Sequence, residues 1–152
     1  MRTFESLDAL VAAKGEVLGT SSWVEITQEA VNLFADATGD HQWIHVDVEK
    51  AKAGPFGGTI AHGFMTLSLI PRLMHEMYTV GGIKLAINYG LNKVRFPSPV
   101  PVGSKVRATS TLVDAEDVGN DTVQLTVSTV IEIEGGSKPA CVAESVLRYI
   151  GG

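Results

Sequence analysis

Between residues 121 and 134 apolar and polar side chains alternate. Val123, Leu125, Val127, Thr129, Ile131 and Ile133 fall on one side; Gln124, Thr126, Ser128, Val130, Glu132 and Glu134 fall on the other. A period of two over that length predicts a strand with one face in the core. Three more extended runs, 83–96, 104–117 and 139–150, share the C-terminal half. Gly119-Asn120-Asp121 and Gly135-Gly136-Ser137 suit hairpin loops between them.

The N-terminal half reads differently, as helices and loops. Residues 6–13 (SLDALVAA) suit a short helix ending near Gly15, and Trp23–Ile26 a short extended piece. Thr27 offers an N-cap and Glu29 a first-turn acid for a helix through Ala37. Its positions Val31, Phe34, Ala35 and Thr38 keep helical spacing. Asp47 is placed to cap another brief helix, VEKAKA, which Gly54-Pro55 stops. The glycine-rich AGPFGGTIAHG must be a loop. A longer helix is expected from His62-Gly63 to Tyr78, with Phe64, Leu67, Ile70, Leu73, Met74 and Met77 at intervals of three and four. Met65, Leu69 and Pro71 widen its apolar surface, so it should be buried, with Pro71 a point of kinking. A buried helix followed by an antiparallel meander predicts an α+β fold, a sheet curled around a helix.

Composition narrows the functional classes. The 152 residues fit one domain and are 45% hydrophobic and 19% charged, with a net charge of −5 and no basic stripe. That balance argues against a general nucleic-acid binder, while leaving room for an anionic small ligand on a few local cations. No apolar run approaches the ~20 residues of a membrane span, and the first residues carry acids in place of a secretory h-region. The single cysteine, Cys141, cannot form an internal disulfide and falls within a strand pattern, where a small buried residue is its expected role. A cytoplasmic protein is expected.

The chemistry concentrates in FADATGDHQWIH, residues 34–45. In a continuous helix Asp40 and His45 would point about 140° apart. They can meet only if the helix stops near Gly39 and the following loop curls back. A carboxylate and an imidazole so joined can hold and activate one water. Taken singly, a loop-capping aspartate and a packed histidine are the commoner uses of such residues. The wider motif context reverses that weighting.

Three segments carry that context. Gly39-Asp40-His41-Gln42-Trp43-Ile44-His45 resembles a G-D-x-N-P-[LIV]-H signature, Ala61-His62-Gly63-Phe64-Met65 the H-G that opens a central helix, and Arg95 through Gly103 an R-F-x-x-P-V-x-x-G strand segment. In order and spacing the chain, from about residue 16 to 150, resembles the MaoC-like dehydratases, or (R)-specific enoyl-CoA hydratases, of the hot-dog fold, and within them the NodN-like branch. It departs at Gln42-Trp43, where Asn-Pro is usual. Packing of Trp43 is the expected substitute for the stiffness of proline.

The resemblance implies a single hot-dog domain spanning 1–152 and reversible syn hydration of trans-2-enoyl-CoA to the (R)-3-hydroxyacyl product. It assigns Asp40 and His45 as the catalytic pair. Gly63 is the candidate oxyanion donor, since an amide in the first turn of a helix has no internal partner and a glycine lets the thioester oxygen approach; tight helix–sheet packing is its alternative use. His62 is expected to shape the turn without touching substrate, and His75 is given no role. Lys93, Arg95, Lys105 and Arg107, read as lying on two neighbouring strands, are candidates for the phosphates of coenzyme A. No metal is expected: His41 and His45 have zincin spacing, but Gln42 replaces the glutamate and the helix should already have ended. No cofactor is expected beyond the coenzyme A of the substrate. The partners expected are an acyl-CoA and a second copy of the chain, joined edge to edge, with the active site near that boundary and the acyl chain beside the central helix. A hot-dog thioesterase and a non-catalytic acyl-CoA-binding module are the rival readings.

Overall fold

Four long strands carry the architecture, and the shorter elements serve them. The computed structural model describes residues 1–152. In chain order the elements are β1 (Arg2–Phe4), α1 (Leu7–Ala12), β2 (Val17–Thr20), β3 (Val24–Glu25), α2 (Gln28–Thr38), α3 (Trp43–Val46), α4 (Val48–Lys52), α5 (Gly63–Ser68), α6 (Ile70–Met74), β4 (Tyr78–Val80), β5 (Ile83–Arg95), β6 (Lys105–Gly119), β7 (Thr122–Ile133) and β8 (Cys141–Gly151). The main sheet runs β2-β6-β7-β8-β5, with β3 also on β6, and all these pairings are antiparallel.

The sheet curls around α5 and α6. Met65, Ile70, Leu73, Met74 and Met77 join one core with Val106, Ala108, Leu112, Leu125, Val127, Ile131, Ala143 and Leu147. The alternation along β7 is realised: Val123, Leu125, Val127, Thr129 and Ile131 are buried and Ile133 half-buried. This is the α+β hot-dog arrangement that the resemblance implies. The buried Thr129 hydroxyl is satisfied by Ser110 opposite it, at 2.7 Å. At the β6–β7 hairpin Asn120 and Asp121 both have positive φ (55° and 53°), as a two-residue primed turn demands.

Three expectations need correction. The helix expected over 62–78 is two short helices. Pro71 has no N–H to give to Leu67, and at Leu69 the amide already reaches back only three residues, to the Thr66 carbonyl at 3.2 Å. Beyond Met74 the chain tightens further (Met77 N–H to Met74 O, 2.9 Å), and Tyr78 enters β4, paired in parallel with β1. The second correction concerns the N-terminal half: β1 and β2 are strands of three and four residues, too short for a periodic signal. Last, β5 does not follow into a meander. It crosses to the far side of the sheet and pairs with β8, so β7 and β8 separate it from β6. There it forms an edge with Leu85, Ile87, Tyr89 and Leu91 exposed. No helix is long and apolar enough to cross a membrane.

Candidate active site

The site begins where α2 ends. The Thr27 hydroxyl accepts the Ala30 N–H at 3.1 Å to start α2, and Gly39 ends it in the left-handed region (φ 79°), its N–H returning to the Ala35 carbonyl at 2.8 Å. That turn releases Asp40 into solvent. A one-turn helix not legible in the sequence, α3, then brings His45 back into the interior, 6% exposed.

His45 is fixed at three points. Its Nδ1 lies 2.7 Å from the Ile60 carbonyl, which can only accept, so Nδ1 carries a proton and, in the neutral ring, Nε2 is the nitrogen with the lone pair. Gln28, at the start of α2, donates from Nε2 to the His45 carbonyl at 2.7 Å, while its Oε1 accepts the Thr59 hydroxyl at 2.6 Å. The His62 ring stacks on the His45 ring, centroids 3.8 Å apart and planes 24° from parallel. His62 Nε2 in turn donates to the Asp40 carbonyl at 2.9 Å, and Phe34 packs against the His62 ring at 4.9 Å. One nitrogen or oxygen from each of Asp40, His45 and His62 therefore lies within 4.8 Å of the other two. The residues five apart are brought together as their spacing requires, and His62 joins them. His62, expected to shape the turn before Gly63, makes no side-chain cap bond there and reaches the pair, whereas nothing in the sequence pointed to Gln28, whose contacts are tertiary.

Such closeness does not by itself make a metal centre. An ion at the ~2.0–2.1 Å of a zinc–imidazole bond needs ring lone pairs that converge. Stacked rings hold theirs in nearly parallel planes, and His62 Nε2 is already committed to the Asp40 backbone carbonyl, which leaves that ring only Nδ1. The zincin arrangement is not formed either: exposed His41 points to Asp36, 2.8 Å away, and that partner raises its pKa above the ordinary histidine value.

Gly63 is the first residue of α5, adjacent to the histidine stack. A Cβ there would come within 3.1 Å of the Phe96 ring, so Phe96 would have to give by a few tenths of an ångström to admit a side chain. Trp43 replaces the usual proline by packing: its indole covers Gly54, where a Cβ would meet it at 2.9 Å, and Lys50 Nζ sits 4.7 Å over its ring. The four cations do not share neighbouring strands. Lys93 and Arg95 end β5, whereas Lys105 and Arg107 begin β6, three strand spacings or roughly 14 Å away. Arg107 is moreover engaged with Glu132 (3.1 Å) and the Trp23 ring (4.4 Å). His75, given no role, lines a groove with Leu67, Ile70, Met74, Ile87 and Leu147; it has a volume of about 590 Å³ and starts one helical turn beyond Gly63.

The MaoC like domain family matches residues 10–134. The chain is 75% identical over 150 residues, 99% of each sequence, to 3-hydroxyacyl-thioester dehydratase Z of Mycobacterium tuberculosis. It is 44% identical over 131 residues to Nodulation protein N of Rhizobium leguminosarum, covering 85% of this chain and 81% of that one. Among solved structures, an Archaeoglobus protein described as a monoamine oxidase regulatory protein superposes with a TM-score of 0.78 at 25% identity, over 99% and 98% of the two chains. An (R)-hydratase from A. caviae involved in PHA biosynthesis superposes with a TM-score of 0.72 at 25% identity, over 88% and 94%.

Proposed function

The chain belongs to the MaoC-like dehydratase family, and on that premise we propose that it interconverts trans-2-enoyl and (R)-3-hydroxyacyl thioesters, most simply those of coenzyme A. The observation that carries the reading is the meeting of Asp40 with His45, whose Nδ1 is engaged by the Ile60 carbonyl so that Nε2 is the nitrogen left for a water.

In the hydration direction, one water sits between the Asp40 carboxylate and His45 Nε2. Its oxygen forms the new bond to the β-carbon as one proton passes to the pair, and the pair returns one proton to the α-carbon on the same face. Water is consumed and the pair ends as it began. Negative charge that builds on the thioester oxygen is met by the Gly63 amide. Addition of water is redox-neutral, so the reaction calls for no redox cofactor, and coenzyme A enters only as part of the substrate. The groove along α5 and α6 receives the acyl chain; its volume suits a ligand of that class. Arg95 is the best placed of the four cations for a phosphate, since it precedes Phe96, the residue packed on Gly63. The exposed apolar edge of β5 supports an edge-to-edge homodimer, which would remove an unpaired strand edge and set the groove near the subunit boundary.

Incubation with crotonyl-CoA tests the reading. Loss of the enone absorbance with the thioester intact is the expected result. Release of free thiol would assign a thioesterase, and binding without turnover a non-catalytic module; either would overturn the proposal.

A further inference from the structure

His62 holds the N-cap position of α5, where Ser, Thr, Asp or Asn usually closes the first turn by a side-chain bond. Its side chain makes no such bond. It turns the other way, donates from Nε2 to the Asp40 carbonyl, and lies flat against His45. No other side chain bonds or stacks on both halves of the pair: Gln28 reaches His45 alone, and Thr38 touches only the Asp40 amide, at 3.4 Å. The arrangement also carries a cost. With Nε2–H committed to a carbonyl, Nδ1 is left over, buried without any partner in a residue 2% exposed. A buried polar atom left unsatisfied calls for a reason beyond packing, because an apolar ring would fill the same space without it.

We infer that His62 is a positioning residue for the dehydratase reaction: it sets the distance and angle between the Asp40 carboxylate and His45 Nε2 by bonding the backbone of one and stacking on the ring of the other. The inference rests on the reading of Asp40 and His45 as the catalytic pair. It also requires a proton on His62 Nε2, since only a protonated Nε2 can donate to the Asp40 carbonyl. A pair that shares one water tolerates little displacement, and misplacement by about 1 Å can cost on the order of 100-fold in rate.

Two substitutions separate the two contacts. His62→Phe keeps a ring against His45 and removes the donor; His62→Gln keeps an N–H donor and removes the stack. With crotonyl-CoA, each is expected to lower kcat about 10- to 100-fold, with KM within about twofold and the folded state retained in circular dichroism. A merely structural histidine would instead lose activity in step with the unfolded fraction. Nitrogen-15 NMR of the wild-type imidazoles supplies a readout that no variant's folding can spoil, with a proton expected on His62 Nε2. Values of kcat within twofold of wild type in both variants, a loss that follows unfolding, or an Nδ1–H tautomer would overturn the inference. Asp40→Asn, assayed alongside, separates the levels: wild-type activity there sinks the catalytic pair itself, whereas an inactive Asp40→Asn beside unaffected His62→Phe and His62→Gln sinks only the role of His62.

Discussion

Gln28→Ala removes a side chain that touches no substrate and yet ties three segments together. The amide links the start of α2, the α3 turn that carries His45, and the loop before α5: Nε2 gives one bond to the His45 carbonyl (2.7 Å) and Oε1 takes one from Thr59 (2.6 Å). Two such bonds are worth about 1 kcal/mol each, and leaving the buried Thr59 hydroxyl without its acceptor adds about 1 more. The Asn32 contact is exposed and adds little. The expected destabilisation is about 2–3 kcal/mol, or roughly 5–10 °C in melting temperature for a domain of this size. Gln28→Glu divides the loss. A carboxylate still accepts from Thr59 but sets an oxygen against the His45 carbonyl, so kcat should fall more than stability does. Thermal unfolding by circular dichroism together with steady-state crotonyl-CoA kinetics reads both quantities. A melting temperature within 1 °C of wild type in Gln28→Ala, with kcat unchanged, would refute this account of how His45 is held.

Further predictions follow from charge and burial. Burial pushes the Cys141 thiol up to about 11, so the native protein should be inert to a thiol reagent at pH 8 and react only on unfolding; rapid native labelling would contradict the packing of β8. The Asp36 carboxylate beside His41 raises the histidine pKa, so His41 should titrate above the ordinary value by NMR and Asp36→Asn should lower it. With the folded pKa raised, whatever stability this exposed pair contributes is present below the ordinary histidine pKa and fades as pH rises through the raised one. Salt should weaken it.

How much of this was legible in sequence depends on the range of the interaction. Alternation along β7, the Thr27 cap and the left-handed Gly39 are local, and each sits where the sequence puts it. The break at Leu69 was half legible. Pro71 marked the place, but whether a helix kinks or divides depends on the i−3 bonds that its neighbours find. Strand order was not legible, because β5 pairs with β8 by a crossover that no local pattern encodes, and the grouping of Lys93 and Arg95 with Lys105 and Arg107 failed with it. Within the site, glycine and spacing pointed to Asp40 and His45. The stacking of His62 and the reach of Gln28 arise from segments separated by 17 residues each, and nothing local announces them.

The central claim is that Asp40 and His45 work as one acid–base unit on a shared water. Its most direct test is the hydration rate of crotonyl-CoA by Asp40→Asn and by His45→Gln, with each protein shown to be folded. Each substitution is expected to lower kcat by at least ~100-fold, and the double variant should lose little more than either alone, since groups acting as a unit are not additive. Wild-type rates in both single variants would contradict the account.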